Sequence, residues 1–67
     1  MGFHKRWITD EAILASYRNE GIESVWRMFT SGADALILHG ELAGRCSEAI
    51  WESGREGLEK VLASLDK

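Results

Sequence analysis

The chain has 67 residues, 45% of them hydrophobic, with no proline, a single cysteine and a formal net charge of −3. A chain this short makes one domain with a thin core, because it buries only about 60% of the surface its unfolded form exposes. The lone Cys46 excludes an internal disulfide and argues against a zinc cluster, the acidic balance opposes non-specific binding to nucleic acid or anionic membrane, and no run approaches the roughly 20 apolar residues of a membrane span.

Residues 1–8 read as a short N-terminal arm that carries His4, Lys5 and Arg6. Met1 and Gly2 open it without an apolar run of signal-peptide length. Together with the free cysteine, that predicts a cytoplasmic protein. Thr9 followed by Asp10 and Glu11 marks a helix start: the hydroxyl caps free amides, and the acids favour the positive end of the helix. Ile8 is placed to staple against Ile13. Ile13, Leu14 and Tyr17 share a face, and Gly21 supplies a left-handed stop. The spacing predicts a first helix over 10–19.

Ile22, Val25, Trp26 and Phe29 recur at helical spacing and predict a short second helix over 22–29. Trp7, Tyr17 and Trp26 are assigned to the core. Ser31 and Asp34 resemble a capping box. Ala33 and Ala35 to Leu38 would cover every side of a helix, so this turn is read as central in the core or half interface. A buried strand over 35–38 is the alternative, but no second strand is evident to pair with it.

The C-terminal half carries Leu42, Cys46, Ala49, Ile50, Leu58, Val61, Leu62 and Leu65 on one helical face. Glu41, Arg45, Glu48, Glu52, Arg55 and Glu59 form the opposite stripe at the same phase. Both stripes stay in register across Ser53, Gly54 and Gly57. That favours one long helix over 41–65, bent at Gly54, over two helices started by a Ser53–Glu56 capping box. Such a helix is about 37 Å long. Two short helices are expected to leave part of it bare, so a second copy of the chain is the natural cover. The small residues Gly44, Ser47 and Gly54, with Trp51 and Leu58, are the candidate partner-binding surface, since tryptophan dominates binding hot spots.

No motif for catalysis, metal or cofactor binding stands out. His39 and Cys46 are seven positions apart, about 10 Å along a helix, too far for a direct thiol–imidazole pair. The glycines follow no phosphate-loop pattern. The segment 10–38 has the local shape of a helix-turn-helix. Tyr17 to Ile22 faintly resembles the first helix and turn of DNA-invertase-like modules, although the apolar spacing after Gly21 departs from that pattern. The candidate third helix lacks base-reading side chains, while Lys5, Arg6, Arg18 and Arg27 are available for phosphates.

These readings predict an all-α fold: two short helices on a long, glycine-kinked C-terminal helix, paired as a homodimer. The expected function is a non-enzymatic protein–protein interaction module (an adaptor, inhibitor or accessory regulator) for a partner with a basic surface. A helix-turn-helix DNA-binding regulator is the alternative. Neither a cofactor nor a membrane is expected.

Overall fold

The computed structural model describes residues 5–31 and 35–66. The elements run β1 (Lys5–Thr9), α1 (Asp10–Glu20), α2 (Ile22–Thr30), β2 (Ala35–His39) and α3 (Glu41–Ala63), closed by a 3-10 turn over Ser64–Asp66. The chain is mostly helical, and its three helices begin where the caps and spacing predict. It is not all-α. β1 and β2 pair in parallel, with Lys5 opposite Ala35, Trp7 opposite Ile37 and Thr9 opposite His39. The segment read as an arm is therefore a strand from Lys5 onward. The segment read as an apolar helical turn is its partner, and Ala33 and Asp34 lie outside the described residues. Each strand is five residues long, too short for its period-two pattern to outweigh other readings.

Local chemistry sets the helix ends. The Ala12 amide donates to Thr9 Oγ1 at 3.1 Å, which caps α1. Gly21 ends it with φ 89°, its amide donating to the Tyr17 carbonyl at 2.9 Å. α2 follows at once. α3 has no cap of its own at Gly40. Instead Asp10, the first residue of α1, reaches across, and its Oδ1 accepts from the Ala43 amide at 2.8 Å. Inside α3, Gly54 has φ 61° and ψ −142°. That conformation breaks the helix, so α3 is two helical segments, 41–53 and 55–63, joined by one residue.

The helices cover one face of the sheet. Ile8, Ile13, Val25, Ala43, Cys46, Leu58 and Leu62 are buried and form the core, with Tyr17, Trp26, Phe29 and Leu36 packed around it. Ile8 and Ile13, expected as a staple, both sit at its centre. The Arg55 guanidinium meets Glu23 Oε1 at 2.7 Å and ties the second segment of α3 to α2.

Two expectations change here. The apolar stripe of α3 is covered by the chain's own β1, α1 and α2, because the bend at Gly54 folds the second segment back onto them. The length of the helix therefore does not call for a second copy. Trp7 is not core: it stands on the uncovered face of the sheet and is 63% exposed.

The bend also reveals an internal repeat. Strand, helix, positive-φ glycine, helix occurs twice: β1–α1–Gly21–α2, then β2, the first segment of α3, Gly54 and the second segment. Shifting the first unit by 33 positions superposes Ile13 on Cys46 and Val25 on Leu58, all four fully buried. It also superposes Tyr17 on Ile50 and Met28 on Val61, all partly buried. The hairpin crossings match too. Ser16 Oγ is hydrogen-bonded to Ser24 Oγ in the first unit; Ala49 and Gly57 meet at the same crossing in the second. The strands are offset by 30 rather than 33, because the path from strand to glycine is three residues longer in the second unit.

Candidate functional site

The outward face of α3 carries the most exposed large hydrophobic side chain among the described residues. Trp51 is 87% exposed. It lies one turn after Ser47 and Glu48, on a segment whose inward face is committed to the core through Ala43 and Cys46. Along the neighbouring side of the helix, reached through Glu48 and Glu52 but not lined by Trp51, runs an open groove of about 380 Å³. Glu41, Arg45, Glu48 and Glu52 rim this groove at spacings of three and four, which place them on one side of the helix. Gly44 and Ala49 leave it depth, and Val61 lines it from the second segment. The acidic stripe legible in the sequence is thus the rim of a concave surface. Among the described residues, the ion pairs join Glu23 to Arg27 and Arg55, and Arg55 to Glu59. Glu41, Glu48 and Glu52 are in none of them, so their charge is directed to solvent.

The candidate partner-binding residues separate in space. Trp51 and Gly44 are exposed on α3, Ser47 is half-buried and Gly54 sits at the break. Leu58 is fully buried in the core and offers no surface to a partner. That placement corrects its assignment: the bend turns Leu58 inward, away from the side that holds Trp51.

The candidate phosphate-binding residues are also dispersed or engaged. Arg6 donates to Ser31 Oγ at 2.5 Å and towards the Met28 carbonyl at 3.5 Å. Arg27 faces Glu23 at 3.9 Å. Arg18 is exposed, and the side chain of Lys5 lies outside the described residues. The segment considered as a third, groove-reading helix contains β2.

A second hollow, of about 430 Å³, opens where the strands end, lined by Thr9, Asp10, Glu11, His39 and Gly40. Two of its polar groups serve the fold: Thr9 caps α1 and Asp10 caps α3. Among the described residues, no group of three His, Cys, Asp or Glu side chains is placed to hold a metal ion. His39 is exposed on β2 and Cys46 is buried in α3, so they form no pair. Burial pushes the Cys46 thiol up from its ordinary 9.0 to about 11; Arg45 opposes the shift and Asp10 adds to it. At neutral pH this thiol is protonated and unreactive.

Sequence reasoning missed the outer face of the sheet. Trp7 and Ile37 stand side by side there, and the Trp7 ring lies 6.4 Å from that of His39. The signal was the alternation through Arg6, Trp7 and Ile8, which only a pairing partner turns into a face. Among the described residues, no helix is long and apolar enough to cross a membrane. No protein-family model, curated protein or solved structure matches this chain.

Proposed function

We propose that the protein is a non-enzymatic interaction module, an adaptor, inhibitor or accessory regulator, that presents the outward face of α3 to a protein partner with a basic surface. Trp51, 87% exposed beside three carboxylates that no described ion pair engages, is the observation that carries this reading. A protein gains nothing for its own stability from a tryptophan left in water, whereas a partner that buries it gains a large apolar area at little cost in conformational entropy. The carboxylate rim adds steering and selects for lysine and arginine on the partner.

The test is capture from cells of the protein's natural source with the intact chain as bait, at low and at raised salt. The reading requires a protein that is lost with Trp51→Ala, lost with Glu48→Lys combined with Glu52→Lys, and weakened as salt rises. Capture indifferent to all three changes sinks it. So does tight, steeply salt-dependent binding of a labelled DNA duplex, which would favour the helix-turn-helix alternative.

A further inference from the structure

We infer that β2 is an interior strand of a larger sheet, completed by β2 of a second copy of this chain paired antiparallel about Ile37. This interface is separate from the Trp51 face. The argument starts from composition. β1 reads Lys-Arg-Trp-Ile-Thr and β2 reads Ala-Leu-Ile-Leu-His. Charged residues in the sequence of a strand are how natural proteins mark an open sheet edge, and β1 has two. β2 carries no such guard. Its sequence from Ala35 to Leu38 is an unbroken apolar run with no charge to discourage pairing along its edge. Yet among the described residues only β1 pairs with it, and none of them occupies its second edge.

The helical layer points the same way. Ile8 and Leu38 are register partners on the helix-covered face. Ile8 is fully buried and Leu38 is 37% exposed. The helices therefore cover Ile8 and stop short over Leu38, leaving apolar surface beside the unguarded edge.

A second copy meets both needs through a two-fold axis at Ile37. Antiparallel pairing then sets Leu36 opposite the partner's Leu38, twice, and Ala35 opposite the partner's His39. No like charges are apposed. The result is a four-stranded sheet in the order β1-β2-β2-β1, with the strand whose sequence carries charge at both outer edges. On its outer face Trp7, Ile37, the partner's Ile37 and the partner's Trp7 form one apolar row. Area sets the strength. A five-residue strand is about 17 Å long, and pairing it buries less than the roughly 800 Å² per partner of a stable complex. The dimer is thus reversible and concentration-dependent.

Sedimentation equilibrium of the full chain over a wide concentration range tests this. The mean mass should rise from 7.5 kDa towards twice that value. Ile37→Lys and Ile37→Glu should each sediment as monomers, because the axis sets like charges about 5 Å apart. An equimolar mixture of the two should regain the dimer mass. Circular dichroism checks that each variant is folded. Ile37→Cys, a milder change, keeps the test open if the charged variants unfold: it should form a disulfide-linked dimer under mild oxidation, while Trp51→Cys should not. Trp51→Ala should leave the dimer intact, so failure here and failure of the partner-binding reading are told apart. A monomer at every concentration overturns the inference. So do dimers that persist in both charged variants, no recovery on mixing folded variants, no cross-link at position 37, or loss of the dimer with Trp51→Ala.

Discussion

Gly57→Ala separates the bent α3 from a straight one, because the two geometries predict different outcomes. In a plain helix the change is favourable by about 1 kcal/mol, the difference in helix propensity between the two residues. Here Gly57 sits at a hairpin crossing. A Cβ built on it would lie 2.3 Å from the Ala49 carbonyl oxygen, 2.9 Å from its carbon and 3.2 Å from Ser53 Cβ. Ordinary contact begins near 3.4 Å, so the two segments would have to part by about 1 Å. The two closest obstacles are backbone atoms and cannot rotate away. Leu58, next in sequence and fully buried, would be drawn off its neighbours. Overpacking of this kind costs about 1–3 kcal/mol. Against the propensity gain, the change ranges from neutral to a net loss of about 2 kcal/mol, a fall in Tm of up to roughly 15 °C for a domain this small. Gly44→Ala is the internal control. It is exposed on the same helix, with nothing within 4 Å of its added Cβ. It should gain up to about 1 kcal/mol. Thermal and urea unfolding followed by circular dichroism read both. A Gly57→Ala protein more stable than the parent by the roughly 1 kcal/mol of a plain helix, matching Gly44→Ala, would refute the bend and the close crossing with it.

Four further outcomes follow from the same geometry. Asp10→Ala should cost about 1 kcal/mol, because the first turn of α3 loses its cap from another helix; Asp10→Asn, which keeps an acceptor, should cost less in the same unfolding assay. The Cys46 thiol should resist a thiol reagent at pH 8 in the native protein and react in urea. Because folding raises this pKa, stability should be constant with respect to this group below pH 9 and fall as pH rises from there towards 11, a decline that Cys46→Ala removes in pH-dependent urea titrations. Trp51→Ala should shift unfolding free energy by no more than about 0.5 kcal/mol while quenching experiments show loss of the most accessible fluorophore.

The helices were legible because their boundary signals are local. Thr9, the acids after it and Gly21 act within four residues of their own position, and the structure uses each as expected. The sheet was not legible because its pairing joins segments 30 positions apart. Neither strand is long enough to announce itself, and Ala35 to Leu38 satisfies a helical reading equally well. The bend at Gly54 was half visible. Phase alone could not separate one helix from two, since both segments press the same side of the chain onto one core and so preserve the periodicity across the break. The repeat stayed hidden for a related reason. It preserves burial while changing identity, with isoleucine in one unit answered by cysteine in the other, and three extra residues shift the strands relative to the helices. For the candidate site, the acidic stripe and Trp51 could be read from spacing. The inward turn of Leu58 and the exposure of Trp7 depend on the bend and on the strand pairing.

The parallel pairing has a kinetic consequence. β1 has no partner until the α1–α2 hairpin has turned the chain back on itself, and bringing the strands together costs the closure entropy of the whole intervening segment, which the local helical contacts do not. The helical hairpins should therefore assemble early and the strands join late. On the native side the order reverses. Two short strands with few bonds between them are the first element to come apart, and backbone amides of Ile8 and Ile37 should exchange with deuterium well before those of Val25 and Leu58.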